Sequence, residues 1–82
     1  MKTVQISLNS IGKVKSFVNA ISQFEYDFDL ISGRYVIDAK SIMGIFSLDL
    51  SKSINLAIHS DENLDDIMEV IKPYLVEKGG FL

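Results

Sequence analysis

Apolar and polar positions change period several times along the chain, and each change predicts an element. Val4, Ile6 and Leu8 alternate with Thr3, Gln5 and Ser7, the period of a strand with one buried face. Asn9 and Ser10 end that run and offer a helix cap. Val14, Phe17, Val18 and Ile21 follow at i, i+3, i+4 and i+7, which predicts a helix from about Ile11 to Ser22. Tyr26, Phe28 and Leu30 then alternate with Asp27 and Asp29, and Tyr35, Val36 and Ile37 resume after Ser32-Gly33-Arg34. This predicts a hairpin with Gly33 at a positive-φ turn position. Ile54, Leu56 and Ile58 alternate with Asn55, Ala57 and His59 in a further strand. Ser60, Asp61 and Asn63 offer caps to a last helix, predicted from about Glu62 to Glu77 on the stripe Leu64, Ile67, Met68, Ile71 and Leu75. Pro73 falls inside that helix, where its ring displaces the carbonyl of Glu69 and should bend or loosen the last turn; Gly79-Gly80 end it.

The order is strand, helix, strand, strand, short apolar element, strand, helix. It predicts an α+β domain: one four-stranded antiparallel sheet with two long helices and one short helix on one face. The other face would carry Asp27 and Asp29 into water. Eighty-two residues suit a single domain, taken as residues 1–82, and no repeat, linker or low-complexity stretch divides them.

Composition removes several functions. With 11 acidic residues against 8 basic ones the net charge is −3, and no Lys/Arg cluster interrupts it, so a direct nucleic-acid partner is not expected. The absence of cysteine excludes disulfides, thiolate zinc sites and cysteine nucleophiles, and fits a reducing cytoplasm. MKTVQISLNS at the start reads as neither signal peptide nor membrane span, so a cytoplasmic protein is expected.

Candidate chemistry is sparse. His59 is the only imidazole and reads as a surface residue near a strand end, with no second His or Cys to build a metal site. Asp61, Glu62, Asp65 and Asp66 crowd a helix start, where capping and the helix dipole already account for them. Asp27 and Asp29 share a sheet face, as paired glycosidase acids would, but without a pocket they read as solubilising charges. No Gly-rich phosphate loop is present, and no cofactor or catalytic role is expected.

The remaining stretch, DAKSIMGIFSLDL from Asp38 to Leu50, fits neither an ordinary amphipathic helix nor a strand. Asp38 or Lys40 can begin a short helix running through Ser47, in which Ile42, Ile45 and Phe46 share a face while Met43 lies about 100° around the axis from Ile42. Six apolar residues between Ile42 and Leu50 cannot all enter so small a core, which leaves core packing and a partner surface both open. Ser41 lies where amide groups and the dipole favour a phosphate, with Lys40 beside it, but a serine near a helix start is usually only a cap.

The element order together with Asp38-Ala39-Lys40-Ser41-Ile42-Met43-Gly44 and Ser47-Leu48 resembles HPr, the histidine-containing phosphocarrier family of the bacterial sugar phosphotransferase system. The resemblance covers essentially the whole chain and implies the HPr-like open-faced sandwich. It implies that Ser41 is a regulatory serine, the substrate of an HPr kinase/phosphorylase. It further implies that Ile42, Met43 and Phe46, with Lys40, form the surface docking that kinase and a catabolite-control transcription regulator, while Ile45 and Leu48 face inward. The phosphocarrier half of the pattern, Gly-Leu-His-x-Arg-Pro, is missing: counting back from Phe17-Val18 puts Ser10 at the histidine, Gly12 at the arginine and Lys13 at the proline. A serine phosphate ester transfers far less readily than a phosphohistidine, and Gly12 removes the guanidinium that would grip the phosphate. In this the chain resembles the catabolite-repression paralogue of HPr, which also implies a homodimer. The expectation is a non-enzymatic regulator of the phosphotransferase system and carbon catabolite control, without histidine phosphocarrier activity. Two alternatives stand beside it: a phosphotransfer component using His59 or Ser10 as acceptor, and a ferredoxin-like ligand-binding or dimerisation module. Burial of the whole Ser41–Ser47 segment would favour the last.

Overall fold

The computed structural model describes residues 1–76. Strand β1 (Lys2–Ile6) leads to helix α1 (Ile11–Ile21), then the hairpin β2 (Asp27–Ser32) and β3 (Tyr35–Asp38). Helix α2 (Ile42–Ile45), strand β4 (Ile54–His59), helix α3 (Leu64–Ile71) and a 3₁₀ turn (Lys72–Tyr74) follow. The strands form one antiparallel sheet in the order β1-β4-β2-β3. β4 fills the gap between β1 and β2. In a ferredoxin-like plait the third strand would occupy that gap, so the ferredoxin-like alternative falls.

The alternating residues behave as their period requires. In register, Val4, Leu56, Leu30 and Ile37 share one row, and Phe28 and Ile58 the next, all on the helix-covered face. Helix α1 buries Val14, Phe17, Val18 and Ile21, and α3 buries Ile67 and Ile71. Each such side chain contributes roughly 1.5–3 kcal/mol on leaving water. Gly33 turns the hairpin at φ 60°. On the open face Asp29 lies opposite Ala57 and Asp38, and Asp27 opposite His59.

Three boundaries differ from expectation. β1 stops at Ile6, yet Leu8 is fully buried beyond it. The short helix starts at Ile42 rather than at Asp38 or Lys40 and ends at Ile45, because Ser41 has extended backbone and serves as its cap. The last helix covers Leu64–Ile71 rather than Glu62–Glu77. Asn63 enters it at φ 57°, and Pro73 converts the next turn to 3₁₀ geometry instead of merely bending it. Leu75 then pairs with Ile6, and Val76 N donates to Gln5 O at 3.0 Å, covering part of the β1 edge. Glu77 and Gly79-Gly80 lie outside the described residues.

Candidate functional site

Helix α2 is only one turn long, and its cap and its close seat on the sheet hold it in place. Ser41 Oγ accepts a hydrogen bond from Gly44 N at 3.1 Å, and Ser41 O accepts from Ile45 N at 3.0 Å. Gly44 presses against β3 so closely that a Cβ there would sit 2.6 Å from Ile37 Cγ2. Ser47 Oγ donates to Gly44 O at 2.6 Å and closes the far end.

This seating divides the apolar residues of the segment. Ile45 is fully buried and Leu48 nearly so, while Ile42, Met43 and Phe46 are 36%, 81% and 40% exposed. Ser41 is half-buried at the edge of that exposed group. Lys40 Nζ donates to Phe24 O at 2.7 Å and lies 5.5 Å from the centre of the Phe28 ring.

The other residues singled out from sequence lie elsewhere. Ser10 caps α1, its Oγ accepting from Lys13 N at 3.1 Å. His59 Nε2 lies 2.8 Å from Asp29 Oδ2 on the open sheet face. Ile54, at the other end of β4, pairs with Ile6 just ahead of the Ser10 turn, so roughly 17 Å of strand separates the imidazole from the Ser10 end. Asp27, Asp29, Asp38 and His59 do line an open cleft of about 380 Å³, which the sequence reading did not foresee. No group of His, Asp or Glu among the described residues is arranged to hold a metal ion. No helix among them is long and apolar enough to cross a membrane.

One part of the surface escaped the sequence reading. Asn9, Ser10 and Ile11 at the start of α1 meet Phe46, Leu50 and Ser51 around a mostly apolar cleft of about 540 Å³. Ile11 is 63% exposed at its edge. Beside it, the Asp49 carboxylate accepts from Ser51 Oγ at 2.6 Å and Ser51 N at 3.1 Å, and these bonds hold its pKa below the usual aspartate value. The available signal was Ile11 itself, an apolar residue directly after a cap.

The fold is a four-stranded antiparallel open sheet on which α1 and α2 leave Ile11, Ile42, Met43 and Phe46 exposed. The family model for the PTS HPr component phosphorylation site matches residues 13–75. The chain belongs to the HPr family, and this ties it to the phosphotransferase system and its protein partners. The match begins past Ser10 and Gly12. Among solved structures, the crystal structure of HPr-C-His from Thermoanaerobacter tengcongensis is similar, with 26% identity and a TM-score of 0.75 over 90% of this chain and 91% of that one. Comparison with curated proteins finds no match.

Proposed function

We propose that this chain is a regulatory HPr-family protein that acts by protein contact, with Ser41 as a phosphorylation switch and without histidine phosphocarrier activity. The observation that carries the reading is the placement of Ser41: a capping serine beside three exposed apolar residues on one short helix. A phosphate on Ser41 would bring nearly two negative charges to the end of α2 next to Ile42 and Met43, changing which partner surfaces fit there. The partners that suit this arrangement are an HPr kinase/phosphorylase and a catabolite-control transcription regulator.

The loss of carrier activity is supported by chemistry at the start of α1. Ser10 Oγ is engaged as a cap, and Gly12 offers no cation. His59 is held by Asp29 far along β4, which leaves it unable to serve that loop. Incubation with phosphoenolpyruvate and enzyme I tests this half directly: no transfer of label is expected, and stable labelling at His59 or Ser10 would overturn it.

A further inference from the structure

The two edges of the sheet differ. At the β1 edge Leu75 pairs with Ile6 and Val76 N donates to Gln5 O, whereas among the described residues nothing pairs with the outer edge of β3. The hairpin shows which backbone groups that edge offers. Ala39 N donates to Phe28 O at 2.9 Å, so the alternation of an antiparallel ladder turns Ile37 and Tyr35 towards β2 and leaves Val36 and Asp38 pointing outward. Of these groups, Asp38 O accepts from Ser41 N at 3.0 Å. Tyr35 and Val36 stand on the same edge, 67% and 64% exposed. Neither proline nor bulge interrupts the strand, and the two charged residues that flank it, Arg34 and Asp38, have opposite signs.

Those signs select the partner. When β3 pairs antiparallel with β3 of a second copy and Val36 lies on the two-fold axis, Val36 meets Val36, Tyr35 meets Ile37 and Arg34 meets Asp38. Every opposed pair is then apolar with apolar or cation with carboxylate. Moving the axis to Ile37 sets Val36 against the Asp38 carboxylate, and moving it to Asp38 sets two carboxylates together. The neighbouring charges agree with the first register. Asp29, opposite Asp38 on β2, and Asp27 add to the negative ground that Arg34 meets, although His59 Nε2 already bonds Asp29. Asp38 Oδ1 accepts from Lys40 N at 2.9 Å, which leaves Oδ2 for Arg34. Asp49 and Lys52 share a cleft with Arg34 and offset each other. The net charge of −3 on each copy opposes association and is screened by salt. We infer that this chain self-associates through β3, two four-stranded sheets joining into one with both sets of helices on the same face. The α2 helix of each copy, seated on Ile37, then stands near the axis. The shared edge is only four residues long, so the dimer is weak and depends on concentration. Nothing in this pairing depends on Ser41.

Sedimentation velocity of the full chain, from micromolar to millimolar concentration, tests it. The unaltered chain is expected to shift towards a dimer as concentration rises. Val36→Lys, an exposed substitution that sets two ammonium groups on the axis, is expected to weaken association about tenfold. Arg34→Asp and Asp38→Arg should each weaken it as well, and an equimolar mixture of the two should recover it, because both cross-strand pairs are then again of unlike charge. A chain that stays monomeric at millimolar concentration, a dimer that Val36→Lys leaves unchanged and is therefore joined elsewhere, or a mixture no tighter than its components would each overturn the β3 interface. Should Asp38→Arg fail to fold, the first two results still decide.

Discussion

Gly44 and Ile37 approach so closely that a single added methyl on the glycine would sit 2.6 Å from Ile37 Cγ2. The contact fixes how deeply α2 rests on the sheet, and hence how far Ile42, Met43 and Phe46 stand out from it. Ile37 is β-branched, and its Cγ2 cannot swing aside without changing χ1. Gly44→Ala is therefore expected to cost about 1–3 kcal/mol, read as a lower urea midpoint with unchanged slope. An unchanged midpoint would mean that α2 is not held by this approach.

Ser10 offers a second test, because its role here is structural. Ser10→Ala removes the bond to Lys13 N and is expected to cost about 1 kcal/mol, whereas Ser10→Asp keeps an acceptor and should cost less. Equal losses in the two variants would remove the capping account.

Tyr74 secures the turn after α3 to α1. Its hydroxyl lies 2.6 Å from Ser16 Oγ, and its ring packs edge-on against Phe17 at 5.4 Å. Tyr74→Phe keeps the ring contact and loses the hydroxyl, so the expected cost is about 0.5–1.5 kcal/mol. Tyr74→Ala should cost several-fold more, measured in the same denaturation series.

The Asp49 carboxylate supplies a pH prediction. Hydrogen bonds from Ser51 favour its charged form, so its folded-state pKa lies below the unfolded value. The stabilisation is complete above the unfolded aspartate pKa and is lost as pH falls through the lower folded one. An NMR titration should place the Asp49 midpoint below that of an ordinary aspartate, and Ser51→Ala should move it upward. A midpoint that does not respond to Ser51→Ala would contradict the assigned cause.

Much of this architecture was legible in the sequence because it depends on local periods. The α1 stripe Val14, Phe17, Val18 and Ile21, the alternation through β2 and β4, and the turn at Gly33 each follow from spacing alone. The Ser41 cap was legible too, as a serine directly before an apolar turn. What stayed hidden depends on non-local packing. Lys40 reaches Phe24, sixteen residues away, and no pattern around Lys40 announces that. The depth at which Gly44 sits on Ile37 is a property of the helix–sheet contact. The exposure of Ile11 depends on where α1 begins relative to the connection carrying Leu50, and the 3₁₀ turn at Pro73 leads into a pairing of Leu75 with Ile6, nearly seventy positions away, that no local pattern shows.

The central claim is that Ser41 is the switch on a contact surface. It is tested most directly by incubating the protein with an HPr kinase/phosphorylase and ATP and mapping phosphate by mass spectrometry. A single phosphate on Ser41, absent in Ser41→Ala, is the predicted result. An unlabelled protein, or phosphate placed elsewhere with Ser41 untouched, would contradict the account.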